Sequence, residues 1–230
     1  MTMPRIGIIT GVRTEEKALA PILNAENSPL VRLSGARPTR ALNGVEALIE
    51  AGVDGMLSFG TAGALNPDLR PGTIVIGESV LSPDDASYAC DPEWVETMSN
   101  ALSIKPMGVY GAEYVMGADA KAKVFLETRR AAIDMESLHA AKLAREAGIP
   151  FAILRAIVDP VDFEFPEFVL DSVRPDGSVS LLPIIAGLCI QPWLTGRLLD
   201  LNKYNNAAME TLSGATGILG PRCGLGLLTL

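Results

Sequence analysis

The sequence has few of the residues on which many enzymes depend: one histidine, three cysteines and 5% aromatic residues in 230. A single histidine, His139, excludes histidine-based triads and the usual zinc sites. The cysteines are odd in number and widely spaced, so neither a disulfide framework nor a CxxC metal site is visible, and a reducing compartment is expected. We therefore predict no metal and no organic cofactor.

Basic charge and long apolar runs are also scarce. The net charge is -8 and the isoelectric point is near 4.8, which argues against a nucleic-acid surface. The longest apolar run, residues 181–194, contains Pro183 and Pro192, so no membrane span is predicted. The first five residues lead directly into a strand-like run, so no signal peptide is predicted either and a cytoplasmic protein is expected. The leucine-rich C-terminal region can cover a neighbouring subunit, contact lipid peripherally or end in a poorly ordered tail.

The chain alternates short apolar β-type runs with helical patterns, and its 48% hydrophobic content suffices for one core. The pattern predicts an α/β protein, a three-layer α/β/α sandwich with a central mixed sheet and a helical C-terminal extension. Residues 1–162 form the core and residues 163–230 the extension of the same domain. Strands are predicted at 5–10, 30–33, 55–59, 73–80, 131–135 and 151–158, and helices at 14–23, 38–51 and 137–147.

The stretch Asp134-Met135-Glu136-Ser137 joins a predicted strand to a predicted helix. Ligands of α/β proteins bind at this edge of the sheet, and the carboxylate of Glu136 can accept hydrogen bonds from two neighbouring sugar hydroxyls. The alternative is an acidic residue that merely stabilises the helix dipole.

A second acidic pair, Glu15 and Glu16, follows the first predicted strand and Gly11. Both can simply favour the helix dipole. Alternatively, one of them is a general base, and the loop that begins at Gly11 brings backbone amides close to an anion or a water molecule.

Two further strand ends carry candidate groups. Gly60 and Thr61 lie in a glycine-rich segment that suits close approach to a small polar ligand, although it is neither a P-loop nor a GxGxxG fingerprint. Asp159 ends an apolar strand, where partial desolvation would raise its pKa and make it a general acid; the alternative is a turn-forming Asp before Pro160.

Four blocks in this order resemble the purine nucleoside phosphorylase and methylthioadenosine/adenosylhomocysteine nucleosidase superfamily. They are Ile-Gly-Ile-Ile with the Glu pair, Gly-Thr-Ala-Gly-Ala-Leu-Asn-Pro-Asp-Leu-Arg-Pro-Gly-Thr-Ile-Val, Asp-Met-Glu-Ser, and Leu-Arg-Ala-Ile-Val-Asp. The C-terminal part, with Asp-Pro-Val-Asp from residue 159 and Arg-Pro-Asp-Gly-Ser-Val from residue 174, is similar to the hopanoid-associated phosphorylases, which are thought to release adenine from adenosylhopane.

The resemblance implies a nucleoside substrate. Glu136 would hold the ribose hydroxyls beside Met135, Thr61 with Gly60 would lie at the phosphate or water pocket, and Tyr114 would be close to the aromatic residue that stacks on the base. The family's members are oligomers, so a homo-oligomer is expected.

The same resemblance implies cleavage of an N-glycosidic bond. Asp159 would donate a proton to the departing purine, and Glu16 matches the general base that activates water in the nucleosidases. A buried carboxylate near the ribose would stabilise the oxocarbenium-like sugar.

Whether water or phosphate attacks is open. Bacterial phosphorylases of the superfamily carry an arginine three residues before the pocket hydroxyl, and Ser58 stands there in this chain. Gly11 with Arg13, Arg37 and Arg40 could compensate and bind inorganic phosphate as a co-substrate. Glu16 and Ser58 favour hydrolysis, whereas the name of the similar branch favours phosphorolysis.

The preferred hypothesis is therefore cleavage of an adenine nucleoside with an apolar 5′ substituent, adenosylhopane-like, in hopanoid biosynthesis. Phe168 and Trp193 could line a groove for that substituent. The alternative enzyme is a general purine nucleoside phosphorylase or methylthioadenosine/adenosylhomocysteine nucleosidase. A different class is a nucleoside-binding protein without catalysis, against which the three carboxylates Glu16, Glu136 and Asp159 argue.

Overall fold

The computed structural model describes residues 4–25, 27–35, 38–165, 172, 174, 177–178, 180, 184 and 190–226. Within them the strands are β1 (Ile6–Thr10), β2 (Leu30–Leu33), β3 (Gly55–Ala64), β4 (Ile74–Leu81), β5 (Ser87–Ala89), β6 (Met107–Gly111), β7 (Ala132–Asp134) and β8 (Phe151–Asp159). The helices are α1 (Arg13–Ala18), α2 (Ala20–Leu23), α3 (Pro38–Glu50), α4 (Pro92–Leu102), α5 (Ala118–Thr128), α6 (Ser137–Ala147) and α7 (Thr195–Leu219), the last preceded by a 3-10 turn at Pro192–Leu194.

The strands form one mixed sheet. β1 pairs in parallel with β2 and β3, and β3 pairs in parallel with β8, so the carboxyl ends of these four strands meet at one edge. β4 is antiparallel to β8 and β5 but parallel to β6, and β7 is parallel to β6 and antiparallel to the end of β3. The pairings β3–β8–β4–β6–β7–β3 therefore close into a ring of five strands. This confirms the predicted α/β fold with a central mixed sheet, while the closure was not predicted.

The predicted helix over residues 14–23 is two helices. α1 ends at Ala18 and α2 begins at Ala20, with Leu19 between them. Pro21 has no backbone N–H, so the hydrogen-bond ladder cannot run through it. The third strand is longer than predicted, because β3 continues through the glycine-rich segment to Ala64. No element was predicted between residues 82 and 130, where the structure has β5, α4, β6 and α5.

The helix α7 packs on the core rather than lying apart from it. Its buried residues include Ala208, Leu212, Ala215 and Leu219, which join the same apolar cluster as β1, β3 and β8. The Thr216 hydroxyl donates to the Ala18 carbonyl at 3.0 Å. α7 therefore packs against α1, and the apolar core extends into the C-terminal region.

The described part of the C-terminal tail also contacts its own chain. The indole N–H of Trp94 in α4 donates to the carbonyl of Cys223 at 2.7 Å, and both side chains are buried. Residues 227–230 lie outside the described residues. Within the described ranges, none of the helices has both the length and the apolar character needed to cross a membrane.

The packing of α7 gives a stability prediction. Leu212 is fully buried on α7, so Leu212→Ala should lower the free energy of unfolding by about 2–5 kcal/mol through lost burial and a cavity. Leu199, which is 67% exposed on the same helix, is the matched control, and Leu199→Ala should change the free energy of unfolding by no more than about 0.5 kcal/mol. Urea unfolding followed by circular dichroism measures both. Equal effects of the two variants would contradict the packing.

Candidate active site

Glu15, in the first turn of α1, is held by donors at the carboxyl end of β1 and in β3. One carboxylate oxygen accepts from the Thr10 hydroxyl at 2.9 Å and from the amides of Gly11 and Val12 at 2.7 and 3.0 Å. The other accepts from the amide and the hydroxyl of Thr61 at 2.8 and 2.7 Å. These donors form a pocket that suits an anion, and the carboxylate of Glu15 occupies it.

Two glycines in β3 allow carboxylates to approach the strand closely. Gly60 has φ 142°, and a Cβ there would lie 2.7 Å from the Glu15 carboxylate. A Cβ at Gly63 would lie 2.9 Å from Oδ2 of Asp159. A side chain at either position would displace a carboxylate, so glycine is required for close approach to the protein's own acidic groups.

Glu136 lies at the start of α6 and is buried. Ser34, directly after β2, donates its hydroxyl to Oε1 at 3.0 Å, and Arg155 approaches Oε2 at 3.2 Å. A Cβ placed on Gly11 would lie 3.3 Å from Oε1 of Glu136 and 3.0 Å from Oε2 of Glu15. The two carboxylates therefore face the same loop. Burial raises the pKa of Glu136 to about 7, and the Arg155 guanidinium opposes that shift.

Arg155 is a fully buried arginine in β8. Besides Glu136, it contacts Asp134 at 3.3 Å and donates to the Ser58 hydroxyl at 2.6 Å and to the Thr61 carbonyl at 3.2 Å. Asp134 accepts from the amides of Glu136 and Ser137 at 2.9 and 2.7 Å, which fixes the start of α6. Arg155 and Asp134 thus orient Glu136 from the strand side and from the helix side.

Asp159 ends β8 opposite Gly63, after an irregularity in the β3–β8 register between Ala62 and Gly63. Bulges of this kind redirect a side chain near an active site. Its Oδ2 accepts from the ammonium of Lys121 at 2.9 Å, and both side chains are buried. Burial raises the pKa of Asp159, and the Lys121 ammonium offsets only part of that effect.

The predicted site residues are brought together in part. Thr61, Gly60, Gly11, Glu136 and Asp159 line one edge of the sheet, with the half-buried Met135 next to Glu136. In the acidic pair it is Glu15 that is buried in the site, whereas Glu16 is half-buried and its carboxylate is outside the hydrogen bonds described above.

The remaining predicted residues lie differently. Tyr114 is 66% exposed in the loop between β6 and α5, and Trp193 is 73% exposed. Arg13 is exposed and Arg40 half-buried, whereas Arg37 and Phe168 lie outside the described residues. The Gly11 amide donates to Glu15, so it is not free for phosphate.

Three residues of the site were not proposed from the sequence: Ser34, Lys121 and Arg155. Ser34 follows a strand and carried no motif. Arg155 stands within a long apolar strand, where a charged residue signals a buried ion pair, and that signal could have identified it. Lys121 lies on a helix with several charged residues and gave no signal. Among the residues that the structure describes, no group of histidine, cysteine and carboxylate side chains has the arrangement of a metal site.

The arrangement suits a reaction that develops positive charge and transfers protons. The carboxylate of Glu15, held by five donors, faces that of Glu136, whose pKa is raised, and the pKa of Asp159 at the end of β8 is raised as well. In a desolvated site such groups can stabilise positive charge and transfer protons.

Known structures with this fold include nucleosidases. The chain is similar to S-adenosylhomocysteine nucleosidase from Streptococcus pyogenes, with 18% identity over 93% of this chain and 96% of that chain and a TM-score of 0.67. Futalosine hydrolase of Helicobacter pylori matches with 16% identity, 91% and 95% coverage and a TM-score of 0.66. The Helicobacter pylori 5'-methylthioadenosine/S-adenosylhomocysteine nucleosidase matches with 15% identity, 93% and 96% coverage and a TM-score of 0.68.

The sequence itself matches a family model. The model of the phosphorylase superfamily covers residues 33–185, more than half of the chain, and these include β3, the start of α6 and β8 with Asp159. The match confirms the predicted enzyme class. The chain belongs to the phosphorylase superfamily.

Proposed function

We propose that this enzyme hydrolyses the N-glycosidic bond of an adenine nucleoside. We choose water over phosphate as the attacking group because of the position of Glu15. Its carboxylate accepts hydrogen bonds from the amides of Gly11 and Val12 and from the amide and hydroxyl of Thr61. A phosphate at the same donors would have to displace this anion, whereas a water molecule can replace the Thr61 hydroxyl on Oε1.

In this mechanism Glu136 binds the ribose hydroxyls and stabilises the developing positive charge on the sugar. Glu15 orients a water molecule and takes its proton as the water oxygen bonds to the anomeric carbon. The bond between that carbon and the purine nitrogen breaks with its electron pair leaving on the purine. Asp159, whose pKa burial raises, gives the purine a proton.

The proposed substrate carries an apolar 5′ substituent, adenosylhopane-like. Support comes from the C-terminal segment that carries the resemblance to the hopanoid-associated branch. The Arg13 amide donates to the carbonyl of Gly177 in this segment at 3.0 Å, and a Cβ placed on Gly177 would lie 3.3 Å from Cα of Val12. Gly177 thus borders the loop that precedes Glu15. The runner-up is a nucleosidase or phosphorylase for nucleosides with a small 5′ group.

A panel of substrates tests this function. The enzyme is incubated with adenosine, methylthioadenosine and a 5′-alkyl adenosine, each with and without inorganic phosphate, and adenine is measured by chromatography. We expect phosphate-independent release, fastest with the 5′-alkyl compound, and a loss of about 10²–10⁴-fold in Asp159→Asn. Release that requires phosphate would contradict hydrolysis, and no release from any compound would contradict the proposal.

The two neighbouring glutamates provide a matched pair of variants. Glu15→Gln should lower kcat by about 10²–10⁴-fold because the group that takes the proton of water is lost. Glu16→Gln should leave kcat within about threefold, since only Glu15 reaches the site. Circular dichroism checks that both variants fold. A larger loss of kcat in Glu16→Gln would support Glu16 as the general base, which is the assignment that the sequence resemblance implied.

The raised pKa of Glu136 predicts a pH dependence. Its folded-state pKa is about 7, so the carboxylate needed at the ribose is progressively protonated below that pH. The value of kcat/KM should therefore fall about tenfold per pH unit below pH 7, which gives the profile an acid limb. Glu136→Gln should flatten this acid limb and, at pH 8, raise KM by about 10–100-fold through loss of charge-assisted hydrogen bonds. An unchanged acid limb in Glu136→Gln would show that another group titrates there.

A further inference from the structure

Lys121 is a buried lysine that the mechanism above leaves without a role. It lies in the first turn of α5 and is 1% exposed. Its ammonium donates to Oδ2 of Asp159 at 2.9 Å and to the carbonyls of Pro160 and Phe163 at 2.8 and 3.2 Å. Lysine has three donors, so each of them has an acceptor.

These contacts hold the acid and the turn that follows it as one unit. Pro160 and Phe163 are at the two ends of the turn after β8, and the Phe163 amide closes that turn on the Pro160 carbonyl at 3.0 Å. The Phe163 ring packs edge to face on Tyr204 of α7, with 6.0 Å between ring centroids. Lys121 therefore links Asp159 to α5, to the turn and, through Phe163, to α7.

A purely stabilising role accounts poorly for this arrangement. Buried ion pairs often contribute less to stability than apolar side chains of similar volume, because both charges lose their hydration. The pair does, however, distinguish the two oxygens of Asp159. Oδ2 accepts the ammonium, while Oδ1 makes no hydrogen bond to Lys121, although both oxygens lie beside Gly63, at 2.9 and 3.2 Å from a Cβ placed there.

We propose that Lys121 is a positioning residue for the reaction. Its ammonium holds Asp159 through Oδ2 and leaves Oδ1 to carry the proton for the departing purine. It also lowers the pH at which Asp159 loses that proton. The inference rests on the proposed function, in which Asp159 is the acid.

The electrostatic part follows from the charges around the acid. Burial raises the pKa of Asp159 and Lys121 opposes it, so loss of the ammonium would raise that pKa further. Among the described residues, Lys121 is the charged side chain that acts on Asp159. Glu164 and Arg197 lie further out, near the start of α5, and are at least half exposed, so solvent screens their charges.

The test replaces the charge and keeps the length of the side chain. In Lys121→Met, the alkaline limb of the kcat–pH profile, measured by adenine release between pH 6 and pH 10, should move up by about one pH unit or more. The plateau kcat should fall while KM changes little, because the acid is less well oriented and the ribose contacts are intact. If Lys121→Met does not fold, Lys121→Gln, which also lacks the charge, carries the same measurement.

Lys123 provides the matched control on the same helix. It is 76% exposed and lies 3.9 Å from Glu127, so Lys123→Met removes the same charge without touching the site and should leave the limb in place. A limb that stays at the wild-type pH in the Lys121 variants, or that moves equally in Lys123→Met, would overturn the role of Lys121. A wild-type enzyme that releases no adenine would instead contradict the proposed function itself.

Discussion

The guanidinium of Arg155 is the group around which the site is assembled. It lies fully buried in β8 and contacts β3 through Ser58 and the Thr61 carbonyl, β7 through Asp134, and the start of α6 through Glu136. A buried cation is tolerated only when its partners are all in place, and removing one partner of such a pair typically costs about 3–5 kcal/mol. The ion pairs and hydrogen bonds of the arginine are therefore the same contacts that place Glu136.

The site has more negative than positive side chains. Two buried cations, Arg155 and Lys121, face four buried carboxylates, namely Glu15, Asp134, Glu136 and Asp159. Because these groups have lost most of their hydration, their interactions are stronger than in water, and an oxocarbenium-like sugar would supply positive charge where it is lacking. Burial raises the pKa of both Glu136 and Asp159, but their partners differ. A guanidinium shared between carboxylates favours an ionised Glu136, whereas Asp159 has one ammonium, which is consistent with the role of proton donor that we propose for it.

The rigidity of the site depends on elements far apart in the chain. α7 packs behind β8 and α1, which carry Asp159 and Glu15, and Thr216 donates to the carbonyl at the end of α1. Lys121 connects α5 to the end of β8 in the same way. The C-terminal helix thus belongs to the support of the site as well as to the core.

The sequence determined the alternation of strands and helices, most element bounds up to α3, and the strands and helix next to Thr61, Glu136 and Asp159. It could do so because hydrophobic period and glycine positions are local properties. It did not predict the helices and strands from β5 to α5, where the two strands have only three and five residues. The closure of the sheet also escaped prediction, since it depends on pairings between strands distant in sequence.

Within the site, local pattern located the loops but not the contacts. Glu15 and Glu16 are equivalent as sequence, and only the packing of α1 against β3 decided that Glu15 faces Thr61. The chain alone placed acidic groups at the carboxyl ends of its strands. The tertiary structure decided which of them share a buried cation, because Arg155 and Lys121 reach their partners from elements far away in sequence and burial makes those few contacts dominant.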